Sequence, residues 1–250
     1  MVKGLDRFRA FFKDHADSYV LIGGTACDLL FTDAGLPFRA TKDIDMVICV
    51  EVIDAALAKR LGEYIDAAGY QSRQVNDGEK KFYRFARPTD NSFPAMLEIF
   101  ARPRSALGLP AADKYVRLSV EEDIISLSAL LLDENYYGLI SAGREVRDGL
   151  PILGEDVLIP FKARAFLDLT DRQAKGEKVD SKDIKKHRND VFRLLQLIPA
   201  DRTIDVPDAV KADLRRFAGA LAAEEIDPKS FAVPITKDEG IAALDRTYKL

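Results

Sequence analysis

The stretch YVLIGGTACDLLFTDAGLPFRATKDIDMVICV, residues 19–50, decides the fold of this 250-residue chain. It begins with an apolar run, turns at Gly-Gly-Thr into a helical segment, and ends in a second apolar run headed by two aspartates. The β-branched residues of the two runs favour strands. The segment between them predicts a helix that Thr25 caps and Gly35 ends. We therefore predict a strand, a helix and a second strand in this order.

The two aspartates, Asp43 and Asp45, stand at the head of the second strand on either side of Ile44. Because successive side chains of a strand point to opposite faces, both carboxylates share one face. Neighbouring carboxylates repel each other, and burying either one is costly without a partner. A divalent cation resolves this conflict, and Mg²⁺ combines one or two carboxylates with substrate phosphates. The alternative is an exposed loop in which the pair caps a turn.

The turn between the first strand and the helix contains Gly23, Gly24 and Thr25. Glycines let backbone N–H groups approach a phosphate closely, and a helix N-terminus adds partial positive charge. An ordinary tight strand-to-helix turn would use the same residues. Neither GxGxxG nor GxxxxGK[ST] occurs, so the sequence argues against Rossmann and P-loop sites.

A third acidic position, Glu98, lies inside the apolar run AMLEIFA at residues 95–101. By alternation it shares a face with Met96 and Phe100, so a solvent-exposed position is the less natural interpretation. A buried acid needs a partner. A third metal-binding carboxylate from a neighbouring strand would explain it.

The rest of the chain divides into a mixed part and a helical part. Up to residue 154 we predict helices at 5–15, 52–69 and 118–140, strands at 70–75, 81–87 and 95–101, a hairpin turn at Asn76-Asp77-Gly78, and a second hairpin at 144–153. Beyond it we predict helices at 155–176, 180–198 (capped by Asp180) and 206–224. The predicted domains are residues 1–155 and 156–250.

Composition places few limits on function. The net charge is −4, with 31% charged and 47% hydrophobic residues, which is ordinary for a globular protein. The N-terminal residues do not resemble a secretory signal, and no apolar stretch approaches the length of a membrane helix. Cys27 and Cys49 lack metal-type spacing, and we expect no disulfide between them. We expect a cytoplasmic protein without membrane partners.

These motifs resemble a known superfamily, the nucleotidyltransferases of the polymerase-β-like fold. The Gly-Gly-Thr-Ala start and the Arg-x-Thr-x-Asp-Ile-Asp end of GGTACDLLFTDAGLPFRATKDID are similar to AbiEii-like nucleotidyltransferases of bacterial toxin–antitoxin and abortive-infection systems. The resemblance implies an α+β fold: a nucleotidyltransferase-type mixed β-sheet flanked by helices, followed by a helical C-terminal half.

The resemblance also implies roles for residues of the first half. Asp43, Asp45 and Glu98 would be catalytic carboxylates that bind one or two Mg²⁺ ions, with Glu98 placed for the second ion or for the proton of an attacking hydroxyl. The residues implied to bind the nucleoside triphosphate are Gly23, Gly24, Thr25, Arg39 and Thr41. The role of Arg39 is open, because it could instead pair with an aspartate.

The helical half carries a second match to the family. The catalytic position would be Lys162, and the nucleotide-binding positions would be Arg172, Lys182, Asp183 and Asp190. From the residues alone, Asp183, His187 and Asp190 share one helix face. The stem of Lys162 can run along an apolar stripe while its amine reaches a cleft, where it would neutralise phosphates. The alternatives are a solvated basic helix with an Asp180–Asp183 capping box, and a core histidine at 187.

The implied reaction transfers a nucleoside monophosphate from a triphosphate to a hydroxyl acceptor. The acceptor would be RNA such as tRNA, or a protein side chain, and an antitoxin protein would be a further partner. A small-molecule, antibiotic-type nucleotidyltransferase is the rival enzyme. A catalytically silent nucleotide-binding module and a purely structural domain are the non-enzymatic alternatives. An RNA acceptor would use the basic run at 175–188.

Overall fold

The computed structural model describes residues 2–48, 55–77, 80–101, 116–117 and 133–250. The chain forms two compact units. The first comprises Met1–Val120 and Ile140–Gly154, and the second comprises Glu121–Leu139 and Glu155–Leu250. The domain division predicted from the sequence, 1–155 and 156–250, stays a prediction about independently folding parts.

The first unit contains both strands and helices, whereas the described part of the second contains helices and no strand. The strands are β1 (Tyr19–Ile22), β2 (Asp43–Ile48), β3 (Gln71–Asp77), β4 (Lys80–Ala86), β5 (Met96–Ala101), β6 (Val116–Arg117), β7 (Arg144–Arg147) and β8 (Leu150–Leu153). The helices are α1 (Leu5–Phe12), α2 (Gly23–Asp33), α3 (Ala55–Ala68), α4 (Glu134–Ala142), α5 (Glu155–Ala174), α6 (Ser181–Leu195), α7 (Asp208–Ala223) and α8 (Lys237–Tyr248). Short 3₁₀ turns occupy Lys13–Ser18 and Pro228–Phe231.

The strands form one mixed sheet in the order β6-β3-β4-β5-β2-β1-β8-β7. Strand β2 lies at its centre, antiparallel to β1 and parallel to β5. The predicted fold class, a mixed sheet with helices followed by a helical half, is therefore confirmed. No helix in the described part of the chain combines the length and apolar character that a membrane span needs.

Most predicted elements of the first unit are present. Strands β3 and β4 pair as the antiparallel hairpin that Asn76-Asp77-Gly78 predicted. The predicted hairpin at 144–153 is β7–β8. Of the helix predicted at 118–140, only the part from Glu134 onward lies within the described residues, and Cys49 lies outside them.

The predicted N-cap of helix α2 is wrong. The helix begins at Gly23 rather than after Thr25, and no side chain caps its first turn. Gly23 has a φ of 64°, a left-handed conformation that glycine adopts at little cost, so the chain enters the helix directly from β1. Thr25 consequently lies within the first turn, buried, and donates its hydroxyl hydrogen bond to the main-chain oxygen of Asp43 at 2.6 Å.

An aromatic cluster forms the core beneath α1 and α3. Phe8, Phe12, Tyr19, Tyr64 and Phe93 are almost fully buried, and several of their rings meet edge to face. Such pairs stabilise a core by roughly 0.5–1.5 kcal/mol each beyond the area they bury. This core fixes α1 and α3 against the sheet that carries the acidic residues.

Helix α5 contains Pro160 within its first two turns. Proline has no N–H to offer the carbonyl four residues earlier, which here belongs to Asp156. The hydroxyl of Tyr248, at the end of α8, donates to that carbonyl oxygen at 2.8 Å. A buried tyrosine therefore replaces the hydrogen bond that Pro160 removes, and ties the last helix to α5.

We expect Tyr248→Phe to lower the free energy of unfolding by about 1–2 kcal/mol, because it leaves the partly buried carbonyl of Asp156 without this donor. Tyr64→Phe is the matched control, since the Tyr64 hydroxyl is buried with no hydrogen-bond partner among the described residues. Urea unfolding of both variants measures the difference. Equal stabilities for the two would contradict this role of Tyr248.

Candidate active site

The three predicted carboxylates lie on two neighbouring strands, and two of them are directly opposite each other. In the parallel pair β2–β5, Asp43 lies opposite Met96 and Asp45 lies opposite Glu98. Residues directly opposite each other in a sheet share a face, so Asp45 and Glu98 are side by side. Asp43 and Asp45 are half-buried while Ile44 between them is fully buried, as the alternation predicted. The sheet thus brings a glutamate beside the Asp-x-Asp pair.

Glu98 is buried and is held from both sides. It is only 7% exposed. On β4, Arg84 directs both Nε and Nη2 to Oε1 of Glu98, each at 2.7 Å. Burial raises the pKa of Glu98 well above its usual range, and the charge of Asp45 and a hydrogen bond to it raise the pKa further. The Arg84 guanidinium opposes this rise only in part.

The glycine turn lies directly against the aspartates. A Cβ atom added to Gly23 would overlap Oδ2 of Asp45 and lie 2.9 Å from its Cγ. A Cβ at Gly24 would lie 2.7 Å from Oγ1 of Thr41. Both positions therefore require glycine, the first also for its backbone conformation. The N-terminus of α2, where backbone N–H groups are uncapped by side chains, is held next to the carboxylates.

The segment before β2 folds back over this turn. Phe38 stacks on Phe31 of α2 with ring centroids 5.0 Å apart, and the guanidinium of Arg39 lies 5.1 Å from the Phe38 ring. Nη2 of Arg39 comes within 3.8 Å of the point where a Gly24 Cβ would stand. Arg39 and Thr41, both predicted to bind nucleotide, are thereby placed at the N-terminus of α2.

We expect Gly23→Ala to be far more harmful than Gly35→Ala. Both glycines have a left-handed φ, 64° and 68°, so both alanines carry the same backbone strain. Only at position 23 does the new methyl group collide with a neighbour, whereas nothing lies within 4 Å at position 35. Gly35→Ala should cost about 1 kcal/mol of stability and keep activity. Gly23→Ala should displace Asp45 and abolish activity.

Thermal unfolding measures the loss of stability, and an assay of the nucleotidyl transfer expected from the sequence measures the loss of activity. If the two variants lost equal stability and equal activity, the contact between Gly23 and Asp45 would not matter.

The site predicted in the helical half has a different character. Nζ of Lys162 pairs with Oδ2 of Asp190 at 3.2 Å, and Nη1 of Arg193 pairs with Oδ1 at 3.0 Å. Asp190 is completely buried, and the Lys162 and Arg193 side chains are 7% and 16% exposed. The structure therefore joins Lys162 to Asp190 in a buried ion-pair cluster of α5 and α6.

The other predicted residues of this half lie nearer the surface. Arg172 binds Glu177 through Nε at 2.7 Å. Asp180 caps α6 as predicted, accepting from the Lys182 amide at 2.9 Å, and the Lys182 side chain is exposed. Asp183, in the first turn, is half-buried. Their roles toward a nucleotide stay predictions.

The donor set of the first unit fits a magnesium ion. Among the described residues, no three acidic, histidine or cysteine side chains already converge as a metal cluster. Asp45 and Glu98 nevertheless lie side by side with Asp43 two residues away, and carboxylate oxygens are the ligands that Mg²⁺ prefers. Burial is the main cause of the raised pKa of Glu98, and the charge of Asp45 adds to it. A cation bound beside Asp45 would offset the second cause.

Two arginines of these clusters were missed from the sequence. Arg84 and Arg193 are each one of several basic residues in their segments, and neither belongs to a recognised motif. Strand alternation predicts the face of the sheet on which Arg84 lies. It does not predict which residue Arg84 contacts, because that depends on which strands pair. For Arg193, its position three residues after Asp190 on one helix was a usable signal.

Comparisons with known proteins returned solved structures only. An antigenic nucleotidyltransferase-like protein from Paracoccidioides brasiliensis is similar at 16% identity and a TM-score of 0.48, covering 98% of this chain and 95% of that one. The antibiotic-resistance factor ANT(2'')-Ia is similar at 14% and 0.39, covering 88% and 92%. A cytoplasmic RNA terminal U-transferase is similar at 13% and 0.30, covering 97% and 74%.

No protein-family model and no curated protein sequence matches the chain. At these identities and TM-scores, the structural neighbours do not assign the chain to a family. The function is therefore argued from the site.

Proposed function

We propose that this protein is a Mg²⁺-dependent nucleotidyltransferase of the AbiEii-like type. The observation that carries the proposal is the placement of Asp45 beside Glu98, next to the Gly23-Gly24 turn at the N-terminus of α2. An anion-binding helix end and adjacent carboxylates that suit a divalent cation are the two halves of a metal–triphosphate site. Neither half alone would indicate this chemistry.

The reaction is an in-line displacement at the α-phosphorus of a nucleoside triphosphate. The acceptor hydroxyl forms the new O–P bond, the bond to the bridging oxygen breaks, pyrophosphate leaves, and the hydroxyl proton passes to a carboxylate or to water. Asp43 and Asp45 would hold Mg²⁺, which supplies charge neutralisation and lowers the pKa of the attacking hydroxyl. Glu98, opposite Asp45 on the neighbouring strand, would accept that proton. The α2 N-terminus, Arg39 and Thr41 would bind the triphosphate.

RNA is the acceptor class that the surface of α6 favours. Between residues 171 and 188 the chain has seven lysines and arginines and four acids. Lys182 and Lys185 lie three residues apart on one exposed side of α6, and Lys175 and Lys178 are exposed in the connection before it. These four lysines, here called the lysine stripe, form no ion pair with any residue that the structure describes. Unneutralised lysines in a row suit a phosphate backbone.

The deciding experiment is a label-transfer assay. Purified protein and Mg²⁺ are incubated with each α-labelled nucleoside triphosphate and total bacterial tRNA, with Asp43→Ala as the control variant. We expect label on RNA that is absent in the variant. Label on the protein itself would make the acceptor a side chain, and label on an added aminoglycoside alone would favour the small-molecule rival. If the folded protein binds nucleotide but transfers label to no acceptor, it is a catalytically silent nucleotide-binding module.

We expect the double variant Lys182→Gln/Lys185→Gln to weaken RNA binding and flatten its salt dependence. Each lost phosphate contact should reduce the slope of log K against log salt by about 1. Lys13→Gln/Lys59→Gln, which removes two exposed lysines of the first unit, is the matched control. Fluorescence anisotropy with labelled tRNA at several salt concentrations measures both slopes. Identical slopes for the two double variants would show that the lysine stripe does not contact the RNA.

As a bacterial toxin, the protein would act in the cytoplasm and would be opposed by an antitoxin protein. This step rests on the likeness of GGTACDLLFTDAGLPFRATKDID to the AbiEii-like proteins. Induced expression in a bacterial host tests it: wild-type protein should arrest growth and Asp43→Ala should not.

A further inference from the structure

We propose that Arg84 is a positioning residue of the active site, which orients Glu98 and sets how strongly the site binds its cation. The inference rests on the proposed function, because it takes Asp43 and Asp45 as the cation ligands. It concerns a residue that neither the sequence motifs nor the resemblance singles out.

Three charged residues lie in one row across three adjacent strands. Arg84 of β4 is opposite Glu98 of β5, and Glu98 is opposite Asp45 of β2. Residues in register share a face of the sheet, so the guanidinium and Asp45 contact Glu98 from opposite sides. Ile22 of β1 continues the row beyond Asp45, next to the glycine turn. The row therefore leads from Arg84 directly to the proposed nucleotide site.

The contact between Arg84 and Glu98 is specific in geometry. Two nitrogen atoms, Nε and Nη2, both lie 2.7 Å from the same oxygen, Oε1. Both side chains are about nine-tenths buried. The fixed fork of donors on the guanidinium restricts the orientation of the carboxylate. The carboxyl group is thus held with one oxygen committed to Arg84 while it contacts Asp45.

Arg84 also brings a positive charge close to the proposed cation ligands, since only Glu98 separates it from Asp45 in the row. The charge of Asp45 acts against ionised Glu98, and the guanidinium of Arg84 offsets part of that effect. The same charge opposes a cation that enters beside Asp45. Removal of Arg84 should therefore strengthen cation binding while it loosens Glu98.

These two consequences change measured quantities in opposite directions. We expect Arg84→Gln to bind Mn²⁺ about tenfold more tightly than wild type in the absence of nucleotide, because it removes a positive charge that contacts Glu98 beside Asp45. Transfer activity should fall. Arg84→Lys should return Mn²⁺ affinity to the wild-type value, but a single ammonium cannot make the paired contact, so activity should recover only in part. A merely structural arginine would not separate affinity from activity.

Calorimetric titration of Mn²⁺ into the nucleotide-free protein is the test. Arg84→Gln leaves the buried carboxylate of Glu98 with a weaker partner, which could itself change the result. The comparison is therefore repeated between Glu98→Gln and the double variant Arg84→Gln/Glu98→Gln, in which position 98 carries no carboxylate. Lys59→Gln is the control, since it removes an exposed cation of the same unit that lies 3.9 Å from Glu63.

Three results decide the matter. Tighter Mn²⁺ binding on removal of Arg84 in either background supports the inference. Unchanged or weaker binding in both backgrounds, with wild type binding normally, overturns the inference and leaves the proposed function intact. A wild-type protein that binds no divalent cation, even with a nucleoside triphosphate present, overturns the proposed function and the inference with it.

Discussion

Asp45→Asn is expected to reduce nucleotidyl transfer by roughly a thousandfold or more, the scale on which transition-state charge stabilisation is lost. Asp45 occupies the middle of the site, with Glu98 on one side and the glycine turn on the other. An asparagine of the same shape keeps this packing. It removes the charge that a cation needs, so the loss should fall on cation binding and on kcat rather than on folding.

The same substitution should leave the cation-free protein at least as stable as wild type. Asp45 is one of the causes of the raised pKa of Glu98, and its removal relieves the repulsion between two adjacent carboxylates. Sites that hold like charges together for function commonly gain stability when one charge is removed. In EDTA we therefore expect the melting temperature of Asp45→Asn to equal or exceed that of wild type. Added Mg²⁺ should raise the melting temperature of wild type alone.

Asp66→Asn, at an exposed position of α3, is the control and should change neither activity nor the response to Mg²⁺. Wild-type transfer by Asp45→Asn would show that the carboxylates are not the catalytic site. A marked loss of stability in EDTA would show instead that Asp45 has a structural role, and that its proximity to Glu98 stabilises the sheet.

The part of the site that lies close together in sequence was predictable. Asp43 and Asp45 share a face because strand geometry has a period of two, and that rule needs no knowledge of the rest of the fold. The glycine turn was predictable for the same reason, as a strand and a helix joined by two residues without side chains. The error at Thr25 arose because a glycine in the left-handed region can begin the helix earlier than a capping residue would.

The part that depends on strand pairing was only half predictable. Alternation indicated that Glu98 is buried and needs a partner, and the structure confirms both statements. It could not indicate that the partner is Arg84, because β4 and β5 pair across a connection and their register is set by the whole sheet. The sequence does not distinguish Arg84 from the other basic residues of its strand. The structure was therefore needed to identify Arg84 as the positive charge beside Glu98.

In the helical half, the sequence predicted a lysine in a cleft, and the structure shows what that lysine contacts. Lys162 and Arg193 both bind Asp190, which is completely buried. Burying one carboxylate between two cations is favourable only while all three remain charged and paired. We expect Asp190→Asn to lower the free energy of unfolding by about 3–5 kcal/mol, because it leaves the buried ammonium of Lys162 and the largely buried guanidinium of Arg193 facing a neutral amide.

Lys162→Met should cost less stability, because Arg193 still neutralises Asp190 and the thioether fills the space of the lysine stem. Asp171→Asn, which breaks an exposed pair with Arg216, is the control and should be nearly neutral. Urea unfolding ranks the three variants, and transfer activity is then measured at a temperature where Lys162→Met is folded. A folded Lys162→Met without activity would support the predicted contact between Lys162 and phosphate. Full activity would show that Lys162 has only a structural role, as a partner of Asp190 in the ion-pair cluster of α5 and α6.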